Sequence, residues 1–304
     1  MSFAIEGVYC AAATPLKADG TPDLALFGAH TRALIEEGCH GIAMLGSTGE
    51  ANSFGTRDRM ALLEAAIAGG TRPDQLLPGT SSCAVSEAVE MTRHAVQAGV
   101  KGVVMLPPFY YKAYTDDSLF RFYASVIERV ADDRLRVILY HIPMLTGVPI
   151  SHGLIARLIA AFPDTVVGIK DSDGKIENMH AISALFPGFS VLAGADPLLL
   201  PVLQGGGAGC ITATSNLVAR ELRFVFDHWQ DPARAAEVKA AQDTIVAWRN
   251  LTNSFVQLPT VKTMLARRRD DMGWLNIHPP FSPLSQAEAA QVWSAMAALE
   301  GAAA

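Results

Sequence analysis

Charge of either sign is scarce in this sequence: only 18% of its 304 residues are Asp, Glu, Lys or Arg, and no basic run exceeds Arg267-Arg268-Arg269. With a formal net charge of −6, the chain offers neither a nucleic-acid surface nor a basic membrane patch, so small molecules are the expected partners. Cysteine is sparse as well. Cys10, Cys39, Cys83 and Cys210 lie far apart, with no C-x-x-C pair and no Cys/His spacing suited to zinc, and read as reduced, mostly buried side chains. Long apolar runs are missing, none reaching the about 18 residues of a membrane span. The opening Met1–Glu6 carries neither the charged nor the apolar region of a signal peptide, so the expected location is the cytoplasm. No apolar run is followed by the G-x-G-x-x-G turn of a dinucleotide site.

What is present is a 50% hydrophobic chain, enough for a large buried core. Eight short apolar runs alternate with amphipathic stretches: Gly7–Ala13, Gly41–Gly46, Leu76–Ser81, Gly102–Pro107, Arg136–Pro143, Val166–Lys170, Ser190–Gly194 and Gly209–Thr214. They are apolar at nearly every position, as parallel strands covered on both faces are. Asp58–Ala68, Val85–Ala98 and Asp117–Ala131 have apolar residues at three- and four-residue spacing and read as helices. Eight such units predict an α/β fold, a (β/α)₈ TIM barrel over 1–228. Beyond it, Ala233–Asn253, Thr260–Arg268 and Ser285–Leu299 predict a C-terminal helical extension over 229–304, broken at Asp-Pro, Leu-Pro and His-Pro-Pro. The Gln204-Gly-Gly-Gly-Ala208 segment precedes a strand, at the wrong end of a barrel for phosphate binding, and reads as a turn.

Barrel chemistry sits at the C-terminal strand ends. Lys170 ends an otherwise apolar run, where a surface lysine is the ordinary reading; against an apolar wall, an amine that has shed its proton is a nucleophile toward a carbonyl carbon. Tyr140 ends the preceding run and is either a core aromatic or the phenol that passes protons during imine chemistry. In Gly46-Ser47-Thr48-Gly49-Glu50, two hydroxyls flanked by glycines suit a carboxylate; a helix cap would use just one of them. His141 is the only histidine near a strand end and matches no zinc spacing, which weakens a metal-dependent alternative.

Gly46-Ser-Thr-Gly-Glu50, Tyr140-His-Ile-Pro143 and Gly168-Ile-Lys-Asp171, in this order, resemble the dihydrodipicolinate synthase/N-acetylneuraminate lyase family of class I aldolases. The resemblance implies a Schiff base on Lys170, Tyr140 as general acid/base, and Ser47 with Thr48 and Gly49 holding the carboxylate of pyruvate or another 2-oxo acid. It implies no cofactor and no metal. Gly194, Asp196, Ile211 and Thr212 complete the expected substrate contacts. Tyr110, or Tyr111, is expected to reach a neighbouring site across a dimer, within a homotetramer built as a dimer of dimers. Two departures bear on substrate. Met144-Leu145-Thr146-Gly147 lacks the arginine that dihydrodipicolinate-forming members use for a second carboxylate, and Pro197 stands where sialic-acid lyases place an acidic residue. The expectation is therefore a lyase, aldolase or dehydratase, for a 2-oxo-3-deoxy sugar acid or other 4-hydroxy-2-oxo acid with an aldehyde as second partner. A dihydrodipicolinate synthase using Lys112 and a non-catalytic 2-oxo-acid-binding barrel are the alternatives.

Overall fold

A computed structural model describes residues 4–302. Seven parallel strands form one sheet: β1 (Gly7–Cys10), β2 (Gly41–Ile42), β3 (Val103–Met105), β4 (Val137–His141), β5 (Val166–Asp171), β6 (Ser190–Ala193) and β7 (Gly209–Thr212). Their order is β2-β1-β7-β6-β5-β4-β3. The remaining expected strand, Leu76–Ser81, third in chain order, fills the gap between β2 and β3 with a short, irregular ladder: Leu77 N–H and Gly79 N–H donate to Ile42 O and Met44 O, Thr80 N–H donates to Val104 O, and Val104 N–H donates to Pro78 O. Pro78 has no N–H for a ladder. The carbonyls of Gly79 and Ser81 instead accept from the buried Arg59 guanidinium, each at 2.8 Å. The ring is thus a (β/α)₈-type barrel with one irregular stave. Most of the other predicted runs outlast their ladders, because apolarity tracks burial at the barrel mouth rather than strand pairing.

The strand side chains alternate between two cores. Tyr9, Ala11, Ile138, Tyr140 and Ile211 fill the barrel. Val8, Cys10, Val137, Leu139 and Cys210 face the surrounding helices. In β5 the alternation is broken. Val137 pairs with Val166 while Ile138 pairs with Gly168, so one residue, Val167, is extra. Val166 and Ile169 face outward and Val167 inward. Without this bulge the two-residue period would turn Lys170 out to the helix layer; with it, Lys170 points into the barrel. Gly168 shares that inward face, where a Cβ would come within 2.5 Å of Ser190 O and 2.8 Å of Ile138 Cδ1.

The helices are α1 (Leu24–Glu36), α2 (Thr56–Ala68), α3 (Val85–Gln97), α4 (Asp116–Val130), α5 (Pro143–Thr146), α6 (His152–Ala161), α7 (Ile176–Leu185), α8 (Leu199–Gln204), α9 (Ala219–His228), α10 (Ala235–Thr252), α11 (Gln257–Arg268) and α12 (Gln286–Ala302). Side-chain caps begin several of them, such as Asp23 on α1 and the reciprocal Thr115/Ser118 pair on α4. The break expected at Leu258-Pro259 does not occur. Pro259 lies in the first turn of α11, where its missing N–H would have had no helical partner. No helix among the described residues is long and apolar enough to cross a membrane.

Candidate active site

Lys170 and Tyr140 are direct register partners on the neighbouring strands β5 and β4. Both are buried, 5% and 4% exposed, although one ends in an amine and the other in a hydroxyl. The Lys170 Nζ lies 4.2 Å from the centroid of the Tyr140 ring. Ser47 Oγ is 3.4 Å from the Tyr140 hydroxyl, bringing the loop after β2 onto the same centre. Burial pushes the Tyr140 phenol up, but the Lys170 charge and hydrogen bonding from Ser47, Lys170 and Ser172 outweigh it and hold the phenol below its usual 10.0. A phenol so placed surrenders and regains a proton more readily than a free tyrosine.

The Gly46–Glu50 loop is a tight turn held at both ends in left-handed backbone, Leu45 at φ 59° and Glu50 at φ 55°. Such a conformation is costly for side chains with a Cβ and persists only when surroundings enforce it. Gly79 makes room on one side, since a Cβ there would stand 2.1 Å from Leu45 O. On the other, Glu50 is sealed in and bonded to Lys262 of α11 at 2.6 Å and to the His278 N–H at 2.8 Å. Thr14 Oγ1 donates to Gly49 O at 2.9 Å. The turn consumes the N–H groups of Gly49, Glu50 and Ala51 internally. Among the described residues, those of Ser47 and Thr48 bond to no backbone carbonyl. The loop does not enter an α-helix as expected: it runs into a 3₁₀ turn at Ala51–Ser53, and α2 begins later, capped by Gly55. Neither hydroxyl is therefore occupied as a helix cap, and of the two residues Ser47 lines the cleft with Tyr140 and Lys170.

The remaining expected residues divide. Ile211 faces into the barrel and lines the cleft shared by Ser47, Tyr140 and Lys170. Gly194 abuts the loop after β5, where a Cβ would meet Ser172 Oγ at 2.0 Å. Thr212 is not brought to the cleft. As the register partner of outward-facing Cys10 and a neighbour of the Cys210 thiol, it lies in the helix layer. Asp196 is likewise fully buried away from the cleft, its Oδ2 3.3 Å from Arg249 of α10. The residue begins a turn after β6 whose side chain is claimed by the helical extension, a partnership that strand-end position could not reveal. Tyr110 and Tyr111 stand 72% and 81% exposed, edge to face at 5.1 Å. Lys112 is bonded to the carbonyls of Phe109 and Thr146, and so clasps two loops instead of offering a free charge.

Three contributors escaped sequence reasoning. Lys262 was marked only by being a lone charge within the apolar Leu258–Ala266 stretch. Asn216 ties the mouth together by donating to the carbonyls of Ala11 and Ala213 and accepting from Ala13 N–H. Arg59 fastens the irregular stave. Among the described residues no group of three or more His, Cys, Asp or Glu is placed to hold a metal ion. His141 accepts instead from Ile150 N–H at 3.0 Å.

Comparison with known proteins places this arrangement. The model of the dihydrodipicolinate synthetase family matches residues 4–299. The chain belongs to that family. It is 32% identical to an uncharacterized DapA-like lyase of Chloroflexus aurantiacus, over 95% of each chain. It is 30% identical to the YagE protein of Escherichia coli K12, whose name reads "Putative 2-dehydro-3-deoxy-D-gluconate aldolase", over 96% of each. The crystal structure of YagE in complex with pyruvate superposes with a TM-score of 0.89 at 27% identity, covering 97% of this chain and 99% of that one. The dihydrodipicolinate synthase of Agrobacterium tumefaciens gives 0.85 at 30% identity, covering 96% and 99%. This family member is accordingly a lyase of the pyruvate-dependent type.

Proposed function

We propose that this family member cleaves or condenses a 4-hydroxy-2-oxo acid, of the 2-oxo-3-deoxy sugar acid type, through an imine on Lys170. The observation that carries the reading is the direct pairing of Lys170 with Tyr140 in the barrel interior, with Ser47 on the tyrosine hydroxyl. The Lys170 amine attacks C2 of the 2-oxo acid and water leaves, giving a protonated imine. The Ser47–Thr48 edge holds the substrate carboxylate. Tyr140 takes the proton of the C4 hydroxyl, the C3–C4 bond breaks to release an aldehyde, and its electrons pass to the imine nitrogen as an enamine. Protonation at C3 and hydrolysis return pyruvate and free Lys170. No organic cofactor enters this sequence. The same imine, expelling a hydroxyl instead, would serve a dehydratase.

A dihydrodipicolinate synthase is the weaker reading. Leu145 follows the Tyr-x-x-Pro motif as an exposed apolar side chain, and Lys112 is engaged by two carbonyls, so neither supplies a cation for a second carboxylate. The exposed Tyr110, Tyr111, Met144 and Leu145 support assembly with a second copy through this edge, as in the expected dimer of dimers. Intact mass after incubation with pyruvate and borohydride tests the imine. A single pyruvate-sized adduct is expected on the wild type and none on Lys170→Ala; an unmodified wild type with every 2-oxo acid tried leaves the non-catalytic barrel.

A further inference from the structure

A cavity of about 320 Å³ opens among the outer helices, where α9, α10 and α12 meet the end of α11, and it shares no lining residue with the Lys170 cleft. Its volume lies within the roughly 300–1,000 Å³ typical of ligand pockets. Some of its polar groups are already paired. Glu37 is taken by Arg269 at 2.6 Å, and Glu300 by Arg268 at 3.3 Å. Arg268 also donates to Leu217 O and lays its guanidinium over one face of the Trp248 ring, 4.8 Å from the centroid.

The groups left over are mostly donors. The N-cap of α9 is Val218, which has no side-chain oxygen to offer the helix. Among the described residues, the N–H groups of Ala219, Arg220 and Glu221 in the first turn bond to no acceptor. The Arg220 side chain is exposed and in no ion pair among those residues. Trp248 supplies the deciding observation. The residue is only 5% exposed, and a tryptophan so deeply placed ordinarily finds a partner for its N–H. Here the indole N–H meets no protein acceptor and, unlike that of Trp274, is not sealed in the interior, so it opens on the cavity.

An unpaired cation, uncapped helix amides and an indole N–H around one space together suit an oxygen anion. Glu221, partly buried at the same helix start, limits its charge to one, since it offsets Arg220 and leaves a second negative group without a cation. Leu217, Val218 and Leu299 make the apolar part of the wall. We infer that this cavity is a second binding site, for a small monocarboxylic acid with an apolar tail. The carboxylate sits on the α9 amides and Arg220 with the Trp248 N–H as a further donor, and the tail lies on Leu217, Val218 and Leu299. The ligand bridges α9 of the barrel to α10 and α12 of the helical extension. This site stands apart from the imine reading, and its occupancy is read without any turnover.

The test is isothermal titration calorimetry at neutral pH with isovalerate, acetate, succinate and the uncharged isovaleramide. Isovalerate is expected to bind as one molecule per chain and more tightly than the other three. Arg220→Gln, at an exposed position, is expected to weaken isovalerate about tenfold. Trp248→Phe keeps a ring beneath Arg268 while removing the N–H, and is expected to weaken isovalerate and abolish its effect on tryptophan fluorescence. Ser47→Ala, in the Lys170 cleft, is expected to leave the affinity unchanged. No binding of isovalerate, equal binding of isovaleramide or tighter binding of succinate overturns the site. So does an affinity that neither Arg220→Gln nor Trp248→Phe moves, or one that Ser47→Ala lowers.

Discussion

The ammonium of Lys262, in the helical extension, sits 2.6 Å from Glu50 Oε1 in the Gly46–Glu50 loop, with both side chains sealed from solvent. Lys262 also donates to Thr14 O at 2.9 Å, so one cation joins the loop after β1, the loop after β2 and α11. Burial pulls the Lys262 ammonium below its ordinary value, and the Glu50 charge and hydrogen bond oppose that pull. Removing one partner strands the other charge in the interior. Lys262→Met is expected to cost about 3–5 kcal/mol of stability, measured by urea unfolding, and the Glu50→Gln/Lys262→Met pair less than the sum of the singles. Additive losses would show that the two side chains are not coupled. Relaxation of the loop should raise KM for pyruvate more than it lowers kcat.

Ser47 is one of the groups that hold the Tyr140 phenol down. Ser47→Ala removes that hydrogen bond, so the phenol pKa should rise toward its usual 10.0. In the proposed cleavage Tyr140 accepts the C4 proton, so the rising limb of the kcat/KM profile should move to higher pH in the variant. An unmoved limb would assign it to another group.

Fully buried His30 has its imidazole pushed down to about 3, first by burial and then by the Arg269 charge, against the opposing hydrogen bond to Asn216. The folded state resists a proton that the unfolded chain accepts below its ordinary 6.5, so stability is present above that value and lost as pH falls from 6.5 toward 3. The slope from this one group is at most about 1.4 kcal/mol per pH unit. His30→Gln keeps a donor for Asn216 and should flatten the acid limb of a Tm-against-pH curve. Parallel limbs in the two proteins would remove His30 as its source.

Gly168→Ala puts a methyl within 2.5 Å of a backbone oxygen that has little freedom to move. A stability loss of about 1–3 kcal/mol is expected. The crowding falls two residues before Lys170, on the same inward face, so borohydride trapping should slow as well. Unchanged trapping would mean that the lysine is positioned independently of the bulge.

The barrel, its helical extension, Lys170, Tyr140 and the Gly46–Glu50 loop were legible in the sequence because each leaves a local mark. An apolar run tells of a strand buried on both faces, and a polar residue closing it tells of the barrel mouth. The third stave was legible as an apolar run but not as an irregular one, because only its partners show that its ladder shortens to a few bonds on each side while Arg59 takes the carbonyls of Gly79 and Ser81.

What tertiary structure alone decided is direction and partnership. Whether Lys170 faced the cleft or the helices depended on the extra residue at Val167, and a bulge exists only relative to the neighbouring strand. Asp196 and Thr212 stand at strand ends, yet Asp196 is held by Arg249 and Thr212 shares the outward side of Cys210. Glu50 and Lys262 are 212 positions apart and meet only because the extension folds back over the barrel mouth. Sequence fixes which groups exist and how they alternate along a strand; which charge answers which is set by long-range packing, where leaving a buried charge alone costs more than any local preference can offset.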